Sequence, residues 1–156
     1  MWPKSVLGAL VLAILPLRAT IADEPSGLTI DKEVPFTPEG RLDVDEDAGP
    51  VHVGQVVFQN LPTDSEIREA SGPGDTSRPQ PMLVVSNSGA SAAKLEVEVK
   101  LEDDEGQVLM STDNHPYVKK DCINEVVKAY HRKPAMRTID WPRLTVVHLK
   151  VTVVPR

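Results

Sequence analysis

The chain has 156 residues, with 17 Lys/Arg against 23 Asp/Glu, a formal net charge of −6 and one cysteine, Cys122. A negative charge without basic residues interleaved among aromatics excludes a nucleic-acid surface, and a lone cysteine excludes a small domain stapled by disulfides. The length suits one domain with its own hydrophobic core.

Met1-Trp-Pro-Lys4 precedes an apolar run from Val6 to Leu17, and Thr20-Ile21-Ala22 precede Asp23. An early cation, an apolar stretch short of the ~20 residues that span a bilayer, and small residues before the cut describe a cleavable secretory signal over 1–22. The mature chain is then expected to start near Asp23, secreted or periplasmic, with no transmembrane segment left after cleavage. Residues 23–40 contain Pro25, Gly27, Pro35, Pro38 and Gly40. They read as an N-terminal linker that partly docks, because proline limits strand pairing.

From Arg41 the pattern becomes that of a β domain running to Arg156. Leu42 and Val44 alternate with acids, and Gly49-Pro50 turns the chain into Val51–Leu61, a strand with Val56, Val57 and Phe58 apolar on both faces. Thr63-Asp-Ser-Glu66 spells a capping box and predicts one helical turn through Ala70. Residues 71–81, rich in Gly and Pro, read as a mobile loop.

Residues 81–110 read as a meander of three strands. Met82-Leu-Val-Val85 is apolar on both faces, as in a central strand. Leu95, Val97, Val99 and Leu101 alternate with Lys94, Glu96, Glu98, Lys100 and Glu102, the period of a strand with one face in a core. Gln107–Met110 follows the turn Glu102–Gly106, and 111–117 reads as a polar loop. Residues 121–132 are ambiguous: Ile123, Val126, Val127 and Tyr130 fall at helical spacing, while the paired valines argue strand. Thr145–Val153 alternates again, with Val147, Leu149, Val151 and Val153 on one face.

Short strands, frequent turns and 14 prolines predict an all-β fold, an antiparallel β-sandwich with one short helix. Val84-Val85-Ser-Asn87-Ser-Gly89, then Leu95-Glu-Val-Glu-Val-Lys-Leu101 and Asp103-Asp-Glu-Gly106-Gln-Val-Leu109, resemble bacterial exported domains of the FxLYD and CARDB type. That resemblance implies an immunoglobulin or fibronectin-III-like sandwich acting as a non-catalytic adhesion or assembly module. The FxLYD tetrapeptide itself is absent from the chain.

No motif with working spacing points to catalysis, a metal or a cofactor. Asp43-Val-Asp45-Glu-Asp47 starts like a calcium loop but places Gly54 where a bidentate Glu is needed. Ser91-Ala-Ala-Lys94 matches the S-x-x-K of penicillin-recognising enzymes on a strand rather than a helix, without a K-T-G partner. His52, His115, His131 and His148 show no ligand spacing, Met82 and Met110 read as core rather than copper ligands, and Trp141-Pro142 reads as a core plug. Charge is uneven: residues 23–110 carry 6 basic against 19 acidic, and residues 111–156 carry 9 against 4. Either the halves neutralise each other as neighbouring strands or the basic end faces an anionic surface or acidic partner. Lys119, Lys120, Arg132 and Lys133 are the candidate patch. The expected function is an exported, non-enzymatic binding or assembly module for an envelope or extracellular protein. A small secreted hydrolase with a loop-borne site and a metal or ligand carrier are the alternatives.

Overall fold

The structure, a computed structural model, describes residues 28–154 apart from Pro73, so the signal segment expected over 1–22 lies outside the described residues. The strands are β1 (Thr29–Pro35), β2 (Arg41–Ala48), β3 (Val51–Gln59), β4 (Thr76–Ser77), β5 (Gln80–Asn87), β6 (Ala93–Asp103), β7 (Val108–Asn114), β8 (Tyr117–Val118), β9 (Cys122–Lys128), β10 (Met136–Arg137) and β11 (Leu144–Val154). One short helix, α1 (Asp64–Glu69), follows β3, and a 3-10 helix, Thr138–Arg143, leads into β11. The first sheet runs β1-β11-β6-β7, with β8 against one end of β6, and the second runs β2-β3-β5-β9. All pairings are antiparallel. The expected β-sandwich is therefore the fold.

The alternation read in the sequence builds the core. Leu95, Val97, Val99 and Leu101 pair in register with Val153, Val151, Leu149 and Val147, and all eight are buried. Leu42, Val44, Val53, Val56, Leu83 and Val85 bury the facing side of the second sheet in the same cluster. Each such side chain contributes about 1.5–3 kcal/mol relative to exposure. Glu96, Glu98 and Lys100 stay on the outer side of β6, as their places between the apolar residues require.

Several expectations change. The three-strand meander does not form: β5 and β6 belong to different sheets, and only β6 and β7 make a hairpin. The link between β5 and β6 is held by Asn87, buried at 1 % exposure. Its Nδ2 donates to the Ser91 and Lys119 carbonyls at 3.0 and 3.1 Å, and its Oδ1 accepts from the Gly89 N–H at 2.9 Å. This anchored loop carries the chain from one sheet to the other. Residues 111–114, expected as loop, complete β7; Thr112 is buried while Ser111 and Asp113 are exposed, so the strand alternates in burial although all its residues there are polar.

The expected 23–40 linker, described from residue 28, contains an edge strand. Seven residues from Thr29 to Pro35 pair with β11, and Pro35 ends an edge strand whose outer side needs no donors. The ambiguous 121–132 segment is strand β9. Its helix-like spacing comes from a bulge, where Asn124 has φ 53° and an extra residue shifts the register between Val85 and Asn87. The 71–81 loop contains β4, which pairs with β10. Trp141 is buried as the expected plug; its Nε1 donates to Ser77 Oγ at 2.5 Å, and its ring sits 5.9 Å from that of Phe36. The predicted capping box is present on α1, with Thr63 as N-cap and Glu66 answering it.

Candidate functional site

On the second sheet, apolar residues are doubled at Val56-Val57, Met82 to Val85, and Val126-Val127. In each, one member faces the core and its neighbour faces outward. Val56, Leu83, Val85 and Val127 are buried, whereas Val57, Met82 and Val84 are half-buried and Val126 is 56 % exposed. Met82, expected in the core, is on the outer side. The register aligns the outward members into rows across the second sheet. One row is Arg41, Val57, Met82 and Lys128; the next is Asp43, Gln55, Val84 and Val126. Ile123, 83 % exposed at the β9 bulge, extends the apolar surface toward the Asn87 end.

Charge borders this apolar centre on both sides. Along β2 stand Asp43, Asp45 and Asp47, where Gln55 Nε2 donates to Asp43 at 2.7 Å and the His52 ring meets Asp47 at 2.8 Å and Asp45 at 3.4 Å. Asp43 turns to Gln55 while Asp45 and Asp47 share His52 on a bulged strand, so the calcium-like spacing is spent on other partners; Asp45 itself has φ 52°. On the β9 side Lys128 is exposed, and Lys119 and Lys120, also exposed, precede the strand.

The first sheet is different. Its central outer rows read Asp31, Lys150, Glu98, Asp113 and Glu33, His148, Lys100, Ser111, with charge of both signs, and a further row at one end reads Pro35, Val146, Glu102, Val108. His148 Nε2 is 2.5 Å from Asp31 Oδ1, and its Nδ1 is 3.8 Å from Glu102. The bond to His148 is the main influence holding the Asp31 carboxyl below its ordinary value of 3.8, against a small opposing effect of burial. Donor atoms of Glu33, Glu102 and His148 lie within 4.8 Å of one another, close enough to share a cation. The sequence did not show this grouping, because the three residues come from three strands and meet only through register. Lys100, which bonds Glu98 at 3.0 Å, stands directly across from His148, so the face already balances its own charge.

The four residues of the expected basic patch are not brought together. Lys119 and Lys120 precede β9 and Arg132 and Lys133 follow it, and its seven residues separate the pairs by about 23 Å, beyond a Debye length of ~8–10 Å. Lys119 lies 4.0 Å from Glu125. Arg132 and Lys133 border a cleft of about 370 Å³ with Ser111, Asp113 and His131. A cleft of about 660 Å³ beside α1 is lined by Glu66, Glu69, Asp75 and Arg78 among others, with no histidine. Cys122 is half-buried beside Asn87, and burial followed by Glu125 pushes its thiol up. Behind the β6–β7 turn, Asp103 is 4 % exposed. Hydrogen bonding from the Gln107 N–H holds its carboxyl below the ordinary value against burial, with help from Arg143.

The fold and these surfaces define a β-sandwich with one charged outer face and one whose centre is apolar. The chain matches no protein-family model and no curated protein. Among the described residues no helix is long and apolar enough to cross a membrane.

Proposed function

We propose that this protein is an exported, non-catalytic binding or assembly module, and that it docks another envelope or extracellular protein through the outer face of its second sheet. One observation carries the reading: Val57, Met82, Val84 and Val126 face outward in adjacent rows of the second sheet, the first three half-buried and Val126 exposed. An antiparallel sheet with one face in water normally alternates apolar and polar residues, and a contiguous apolar patch rimmed by charge marks an interaction surface. The likeness of residues 84–109 to FxLYD and CARDB-type modules points the same way.

The experiment is affinity capture from the protein's own envelope and extracellular fractions. Wild type and Glu98→Gln, altered on the other face, should retain the same discrete partner, and Val84→Lys should lose it. Equal retention by Val84→Lys would overturn the proposal, as would turnover of a substrate that depends on the cleft beside α1.

A further inference from the structure

The outer face of the first sheet holds donor atoms that its own ion pairs leave open. Glu33 on β1 stands directly across from His148 on β11, and Glu102 on β6 lies diagonally beside it, opposite Val146. Donor atoms of the three lie within 4.8 Å of one another. His148 Nε2 is 2.5 Å from Asp31 Oδ1. The Asp31 carboxyl, held low chiefly by that bond, is ionised and only accepts, so Nε2 carries the proton. Nδ1 is then the ring atom with a lone pair, and it faces Glu102 Oε1 at 3.8 Å, too far for a hydrogen bond. A nitrogen and an oxygen bound to one tetrahedral zinc-type ion stand about 3.3–3.6 Å apart. The observed gap is near that value and wrong for a shared proton. Glu33 pairs with no cation among the described residues, and Lys100, the cation across from His148, bonds Glu98 instead.

We infer that Glu33, Glu102 and His148 bind a divalent cation of the zinc class on the outer face of the first sheet, with water completing its coordination; this site is independent of the docking face proposed above. The ring nitrogen sets the class of metal. Calcium and magnesium take oxygen ligands, whereas imidazole with carboxylates suits zinc and its transition-metal neighbours. Asp31 is a positioning residue: by accepting from Nε2 it fixes the tautomer and turns Nδ1 toward the ion, as carboxylates do behind metal-binding histidines. Glu102 and His148 are half-buried and Glu33 is exposed. Closing on the ion requires the donors to draw together by about 1 Å, which the exposed Glu33 side chain is free to do. The ligands come from three neighbouring strands, so the ion ties the edge strand β1 to β11 and β6.

The test is calorimetric titration of zinc chloride into the protein after treatment with a chelator, with the melting temperature read in parallel. Wild type should bind a single zinc per chain, and zinc should raise its melting temperature. Glu33→Gln, at an exposed position, should melt like wild type without zinc and lose both the binding and the zinc-dependent rise. His148→Ala should also lose the binding. Asp31→Ala, which keeps all three ligands, should weaken it by about 10–100-fold. His52→Ala removes the histidine that Asp45 and Asp47 approach on the other sheet, and it should bind zinc as wild type does. In NMR spectra zinc should shift the ring signals of His148 and leave those of His52 in place. Absence of saturable binding by wild type would show that His148 is an imidazolium between carboxylates and refute the site. Binding that Glu33→Gln and His148→Ala leave unchanged, or that His52→Ala removes, would place the ion elsewhere and overturn the inference as well.

Discussion

Val84 and Val85 are neighbours on β5, yet their side chains lie on opposite sides of the second sheet, and replacing each by threonine separates the two environments. Threonine keeps the volume and the β-branch, so strand propensity is nearly constant. Val85 is 1 % exposed, between Val53 on β3 and Glu125 on β9. There the substitution loses the burial of a methyl group, about 0.8 kcal/mol. It also buries a hydroxyl without a ready partner, costing about 1–3 kcal/mol more. The sum, about 2–4 kcal/mol, lowers the melting temperature by about 7–15 °C for a domain of this size. At Val84 the hydroxyl faces solvent, and the shift should stay within about 0.5 kcal/mol. Thermal unfolding followed by circular dichroism measures both. Equal shifts, or a larger one at Val84, would show that Val84 does not face outward and would remove the basis for the proposed docking face.

On β6, Val97→Asp should abolish folding at 37 °C, since a lone buried carboxylate costs several kcal/mol of a total near ~5–15, while Glu98→Gln should leave the melting temperature nearly unchanged. Ser77→Ala removes the acceptor of the Trp141 N–H, and leaving that buried donor unpaired should cost about 1–3 kcal/mol, read by denaturant titration with a change in tryptophan fluorescence. Asp31 and Asp103 have carboxyls held below their ordinary value of 3.8. The stability they contribute should be complete above that value and be lost as pH falls through their lower folded values, measured as the urea midpoint against pH. His148→Ala should return Asp31 toward 3.8 in a carboxyl NMR titration and leave Asp103 where it is. Unchanged titration of Asp31 would show that the strand pairing across β1 and β11 is not as described.

The strands themselves were legible wherever burial and composition coincide, as at Leu95–Leu101 and Val147–Val153. Which strands pair was not. β5 and β6 follow each other in sequence and bury faces in one core, but a period of two does not say whether a turn stays in its sheet or leaves it. The polar half of β7 was missed because Thr112 is buried without being apolar, and β9 was ambiguous because its bulge breaks the period. The candidate site was visible, though under another meaning. Doubled apolar residues at 56–57 and 82–85 read as strands apolar on both faces, and 126–127 lay in a segment read as helix or strand, whereas their outward members together form one surface. The Glu33, Glu102 and His148 grouping had no linear signal at all, because its members lie on three different strands.

The pairing of β1 with β11 joins Thr29 to Thr152 across 123 residues of chain. Until β11 has left the ribosome, β1 has no neighbour, and β6 lacks the strand on one of its sides. The first sheet therefore cannot close until β11 is available, and its closure depends on the search for contacts far apart in sequence. The pairing also places residues 29 and 152 side by side, so a short peptide could link them and new ends could be opened at the Gly49-Pro50 turn with the sandwich intact.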